Sequence, residues 1–260
     1  MGEVAGLYWE EHGPADGPPV ILSPGLGGSA AYWAPNLAAL AERHRVILYD
    51  HRGTGRSDRA LPAELDVDDM ADDVLALMDG IGLASANLVG HAAGGVIGLS
   101  LALREPARLT SLVIVNGFAA PDMHFLRCMA TRLDLLEHSG VLAFVRAQPL
   151  FLYPARWISE HISRLETEEA SHVAHFQGTA NVAARIGALA TFHIVDRLHE
   201  IATPTLLIAA EDDMLVPDLC SEQLERGLPH ARLERMRGGH ACNITEPGAF
   251  NRHLLEFLGD

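Results

Sequence analysis

Hydrophobic positions follow two alternating rhythms along this chain. Short aliphatic and β-branched runs at 20–22, 45–49, 87–89, 112–115 and 205–209 predict buried strands, with further strands at 7–10 and 231–236. Between them the spacing lengthens. Met70, Val74, Leu77 and Ile81 recur four, three and four residues apart behind the acidic turn of Asp66, Asp68 and Asp69, the stripe of an amphipathic helix with negative charge at its positive dipole end. Helices are likewise expected at 93–103, 217–228 and 247–258. Strands and helices taking turns imply βαβ units, hence an α/β fold with a mostly parallel central sheet and helices on both faces.

The rhythm breaks between about 121 and 194, where helical, aromatic and histidine-rich segments follow one another with no β-rich run. This stretch reads as a helical lid inserted over the carboxyl edge of the sheet, so that 1–120 and 195–260 form the core and 121–194 the lid. A chain of 260 residues with 48% hydrophobic content can bury a core of that size as one cooperative unit.

A formal charge of −15 without any basic run argues against a nucleic-acid partner and offers no anchor for an anionic membrane. The first five residues lack a signal peptide's basic and apolar regions, and no apolar run approaches membrane-spanning length, so a cytoplasmic location is expected. Cys128, Cys220 and Cys242 are too few and too scattered for a disulfide framework or a zinc site, and His161 and His172 have no ligand spacing. The expected partner is a small-molecule substrate, with no metal and no cofactor. Assembly, with a homodimer as one candidate, is left open.

The chemistry starts at Gly90-His91-Ala92-Ala93-Gly94. It has the form of the G-x-S-x-G elbow, a strand-to-helix turn that presents a nucleophilic serine, but its central residue carries only a methyl group. Ser23-Pro24-Gly25-Leu26-Gly27-Gly28 directly follows a predicted strand, as an oxyanion-hole loop does, and would supply the Leu26 N–H beside that of Ala93. Asp213, in a short loop after a buried strand, and His240, after Gly238-Gly239, stand where an acid and a base would complete the set. Asp212 reads as a turn residue, and Asp50 to Ser57 as a structural turn in which Arg52 and Asp58 brace the supporting loops.

This order of elbow, acid and histidine resembles the α/β-hydrolase superfamily over essentially the whole chain. Longer strings resemble one branch, the RutD hydrolases of the Rut pyrimidine-degradation pathway. They are Ser23 to Ser29, Tyr32-Trp33, Gly90-His91-Ala92, Ala147-Gln148-Pro149-Leu150-Phe151-Leu152-Tyr153-Pro154-Ala155, His175-Phe176-Gln177-Gly178 and Gly239-His240-Ala241-Cys242-Asn243. The lid string is the most telling, because lids vary more than elbows. The resemblance implies that alanine at the elbow belongs to the branch. It also implies hydrolysis of 3-aminoacrylate to malonic semialdehyde and ammonia, or of carbamate to carbon dioxide and ammonia.

A methyl group forms no acyl-enzyme, so water must attack. His240 oriented by Asp213 would hold and deprotonate that water, while the Leu26 and Ala93 amides, with His91, bind developing charge or a carboxylate. A carboxylate substrate also calls for a cation, and Arg127, Arg132 and Arg146 lie in the inserted segment, with Arg127 the residue assigned to the task. Trp33 and His175 complete the expected substrate contacts. Two other readings compete: a catalytically silent pseudohydrolase that binds a small ligand, and a serine esterase whose nucleophile was replaced by alanine in the laboratory.

Overall fold

The computed structural model describes residues 1–259. Eight strands form one sheet: β1 (Gly2–Val4), β2 (Leu7–His12), β3 (Pro19–Ser23), β4 (Arg45–Tyr49), β5 (Ala86–His91), β6 (Leu109–Val115), β7 (Thr205–Ala210) and β8 (Ala231–Met236). Their spatial order is β1-β2-β4-β3-β5-β6-β7-β8. β1 and β2 pair antiparallel at one edge, and the strands from β4 to β8 run parallel. The β1 strand lies outside the predicted set because three residues carry too little alternation to be seen.

Both sheet faces are apolar, as a parallel sheet covered by helices requires. Along β3, Ile21 points into one core with Leu88 and Leu112, while Val20 and Leu22 point into the other with Val46, Val89 and Val113. The first core is covered by α2 (Val67–Gly80) and α3 (Ala93–Arg104), and the second by α1 (Ala34–Leu40) and α10 (Pro247–Leu258). Asp66 caps α2 by accepting from Asp69 N–H while the Asp69 carboxylate accepts from Asp66 N–H, so the acidic turn forms a reciprocal capping box.

The stretch after β6 is helical: α4 (Met123–Leu152), α5 (Ala155–Glu160), α6 (Ile162–Ala174) and α7 (Thr179–Thr191). Gly140, at φ 81° and ψ 178°, breaks α4 into two helices, a conformation glycine tolerates and other residues resist. These helices bond to loops at the carboxyl ends of the strands: His124 Nε2 to Met214 O (2.9 Å), Leu152 O to Ala241 N (3.0 Å) and Asn181 Nδ2 to Gly53 O (2.9 Å). After β7 the chain forms α8 (Leu219–Gly227), and after β8 a short α9 (Cys242–Thr245). Among the described residues no helix is long and apolar enough to cross a membrane. Strand order reverses at β3, which has β4 on one side and β5 on the other. The loops leaving β3 and β5 therefore face one another across a crevice, where ligands bind in open α/β sheets.

Candidate active site

Ala92 sits between β5 and α3 at φ 47° and ψ −107°. That left-handed region is costly for a residue with a Cβ. Packing holds it there. A Cβ on Gly90 would lie 2.2 Å from Gly94 C, and one on Gly94 would lie 2.2 Å from Ser23 O, so both glycines are required for the turn to close against β3. Ala92 N–H donates to Val115 O at 2.8 Å, and Val96 N–H to Ala92 O at 3.0 Å begins the helical ladder. The amides of Ala93, Gly94 and Gly95 have no intrahelical acceptor, leaving the N-terminal end of α3 electropositive beside the elbow.

The facing loop after β3 is fixed from behind. Gly28 N–H donates to Gly25 O at 2.9 Å, closing a turn around the half-buried Leu26. His51 Nε2 donates to Pro24 O at 2.9 Å. Burial, helped by the nearby Arg185 charge, pushes the His51 pKa down to about 3, so this strut is a neutral ring. A Cβ on Gly25 would come within 2.7 Å of His91 Nδ1, so glycine lets this loop close over the elbow.

Asp213 and His240 are brought together. His240 Nδ1 lies 2.7 Å from Asp213 Oδ2, with the two side chains 3% and 0% exposed. Asp213 Oδ1 accepts from Leu215 N–H (2.6 Å) and Val216 N–H (3.0 Å), which fixes the carboxylate plane. A carboxylate only accepts, so Nδ1 is the donor of this pair, and in that tautomer the lone pair lies on Nε2. Nε2 has no protein hydrogen-bond partner among the described residues. Asp212 plays the neighbouring structural part, accepting Gly238 N–H and Gly239 N–H at 2.9 Å each.

Residues distant in sequence steady the base. The His240 carbonyl accepts from His91 Nε2 at 2.8 Å and from Asn116 Nδ2 at 2.8 Å, and Asn116 Oδ1 accepts from Ala210 N–H at 2.8 Å. His91 also stacks on Tyr32 at 4.6 Å, and Tyr32 Oη donates to Asn243 Oδ1 at 2.7 Å. The sequence marks His51 only as part of a structural turn and does not mark Asn116. They bond across 27 and 124 positions respectively, so no local pattern shows these contacts.

Several expected contacts fall elsewhere. His91 is not an anion donor: burial, and then the neighbouring His240, push its pKa well down, so the ring is neutral. Its one N–H is engaged by the His240 carbonyl. Trp33 is 0% exposed and packs on Phe250 (ring centroids 6.2 Å) in the core that also holds Cys242. Arg127 points to solvent, because its position on α4 faces away from the core. His175 is exposed at the end of α6 and bonds the Ser171 carbonyl at 2.9 Å. Arg146 is exposed and paired with Glu169 at 3.0 Å. Of the three lid arginines named, Arg132 is the one buried. In the turn after β4, Arg56 pairs with the buried Asp50 at 2.8 Å, while Arg52 pairs with Asp73 at 2.6 Å and with Asp58 only at 4.0 Å.

Cys242, next to the base loop, is held as a thiol, its pKa pushed up by burial and by Asp213 to about 12. Among the described residues no group of three or more His, Cys, Asp or Glu is placed to hold a metal ion. A separate cleft of about 370 Å³, lined by Asp66, Ser100, Arg104, His193 and Arg197 among others, opens between α2, α3 and the end of α7, away from these groups.

A parallel sheet with an elbow at its switch point, facing amides and an Asp-His pair at the next loops defines the α/β-hydrolase class, and the comparisons agree. Residues 18–139 match the alpha/beta hydrolase fold family. The chain is 54% identical to "Putative carbamate hydrolase RutD" of Variovorax paradoxus (strain S110), over 97% of this chain and 96% of that protein. It is 50% identical to the protein of the same name from Agrobacterium fabrum (strain C58 / ATCC 33970), over 97% of this chain and 98% of that one. The crystal structure of the enol-lactonase from Burkholderia xenovorans LB400 superposes with a TM-score of 0.90 at 26% identity, covering 99% and 98% of the two chains. The chain therefore belongs to the RutD family of α/β-hydrolases.

Proposed function

We propose that this protein hydrolyses a small, nitrogen-bearing carboxylate by direct attack of water, with His240 as general base and no covalent enzyme intermediate. The observation that carries this reading is the 2.7 Å Asp213–His240 pair standing by an elbow that offers a methyl group. A base oriented toward a missing nucleophile has water left to activate. The names of the RutD relatives point to carbamate as one substrate. The other candidate is 3-aminoacrylate, implied by the sequence resemblance.

Both reactions suit the groups present. 3-Aminoacrylate tautomerises to an imine. Water adds across the C=N bond as His240 Nε2 takes one of its protons and passes it to nitrogen, giving a carbinolamine; transfer of the remaining hydroxyl proton to nitrogen then breaks the C–N bond, releasing ammonia and leaving malonic semialdehyde. For carbamate, His240 Nε2 takes a proton from water as its oxygen attacks the carbamate carbon, and return of that proton to nitrogen breaks the C–N bond to give ammonia and bicarbonate, the hydrated form of carbon dioxide. The Leu26 and Ala93 amides face the carbon being attacked and stabilise developing negative charge. General-base assistance contributes about 10²–10⁴-fold, adequate for reactions that also proceed unaided and inadequate for a stable amide.

Ammonia release from freshly generated 3-aminoacrylate and from carbamate, each with and without protein, tests the proposal. Acceleration of one above the buffer rate, saturating with substrate, is the expected result. Rates equal to buffer for both would leave the pocket as a binding site without chemistry.

A further inference from the structure

Arg132 is 4% exposed on α4, yet it has no carboxylate partner among the described residues. Its Nε has no hydrogen-bond partner and its Nη1 has only Met129 Sδ at 3.7 Å. The guanidinium lies over the rings of Phe144 and Phe151, with centroids at 5.2 and 5.7 Å. Aromatic faces attract a cation but satisfy none of its N–H donors. Burial pulls its pKa down to about 10, which leaves it charged at neutral pH. A buried charge without a counter-ion is strongly unfavourable, so a site that keeps one is organised for an anion that arrives from outside.

The helical segment that carries Arg132 touches both the acid and the base loops. One turn before Arg132 on the same face of α4, Cys128 Sγ lies 3.6 Å from the carbonyl of Met214, the residue after Asp213. On the other side, Phe151 precedes Leu152, whose carbonyl accepts Ala241 N–H, the residue after His240, at 3.0 Å. The other deeply buried lid arginine, Arg185, also has Nε and Nη2 without partners, but its surroundings differ. Arg185 sits against Gly28 and within the field of Asp73 and Tyr49, behind the loop that follows β3.

We propose that Arg132 is the substrate-anchoring residue of this site, its guanidinium clamping the carboxylate of a small anionic substrate from the lid while the reacting carbon faces His240. The assignment rests on the hydrolase reading for the word substrate, though the binding itself does not need the chemistry. It narrows the substrate class to short monocarboxylates with an apolar or unsaturated stem, which Phe144 and Phe151 flank. Neutral amides and esters of the same size are excluded, because they would leave the cation uncompensated.

Acrylate and propionamide, neither of which can be hydrolysed by the proposed route at a useful rate, separate charge from shape. Calorimetry and thermal melting would be run on the wild type, Arg132→Met, Arg132→Lys and the surface control Arg146→Ala. Acrylate should bind the wild type and Arg146→Ala alike and raise their melting temperatures, while propionamide should not. Arg132→Met should weaken acrylate by on the order of 10- to 100-fold, the range for a hydrogen-bonded charge. Lysine should restore part of the loss. Ligand-free Arg132→Met should melt at or above the wild-type temperature, because an uncompensated charge has gone; an arginine with a merely structural role would give the opposite. Unchanged acrylate binding in Arg132→Met would overturn the anchor even in an active enzyme. Arg132-dependent binding in a protein without activity would overturn the hydrolase reading and keep the anchor.

Discussion

The ring of His91 holds the backbone of His240, with Nε2 donating to the carbonyl at 2.8 Å. The residue before the elbow's centre thus positions His240, and a shift in either moves both. Replacing His91 by Phe keeps a ring against Tyr32 and removes the donor. Asn116 still holds the same carbonyl, so the fold should survive while kcat falls about tenfold, the effect of one hydrogen bond of about 1.4 kcal/mol. Steady-state ammonia release measures it, and unchanged kcat would show that Asn116 alone suffices.

The elbow of Ala92 is kept in a strained turn with nothing to present but a methyl group. Fluorophosphonate probes, which label activated serines, should label no residue. Ala92→Ser should gain weak activity toward an activated ester, because the backbone already has the required shape and the base and amides are in place. Stoichiometric labelling of wild-type protein, read by mass spectrometry, would show a nucleophile elsewhere.

Two buried neutral histidines set an acid limit on stability. The His51 pKa is pushed down to about 3 and that of His91 lies well below its ordinary value. The unfolded chain takes up protons on both rings as pH falls below about 6.5, where the folded chain does not. Stability is therefore full above that pH and declines below it, by about 2 kcal/mol for His51 alone at pH 5. Melting temperature against pH should fall from pH 7 to 5, and His51→Gln should flatten the slope.

Gly25 marks how closely the loop and elbow approach. A methyl group there meets His91 Nδ1 at 2.7 Å. Gly25→Ala should cost about 1–3 kcal/mol of stability, as overpacking does, and lower turnover by moving the Leu26 amide. Chemical denaturation beside a kinetic assay separates the two effects.

Strands with long branched runs were legible from sequence, and β4 and β8 begin and end where the pattern says. So was the helix at Pro247–Leu258, bounded by a proline and a glycine. Asp213 and His240 were legible because each follows a strand in a loop of its own. The segment between β6 and β7 was legible as helical but not by face. Arg127 and Arg132 look alike in the sequence, and only the direction in which α4 packs separates the solvated one from the buried one. Trp33 follows Tyr32, which stacks on His91, yet its own ring is buried in the core around Phe250 and Cys242, since the turn into α1 carries it there.

Water activation by His240, aligned by Asp213, is tested most directly by rate. Turnover of the preferred substrate should be compared in wild type, His240→Ala, Asp213→Asn and buffer, with the spontaneous rate subtracted and folding checked by circular dichroism. kcat should drop by about 10²-fold or more in His240→Ala and fall in the same direction in Asp213→Asn, whose amide no longer fixes the tautomer. Folded His240→Ala protein that retains the wild-type rate would contradict water activation by this residue.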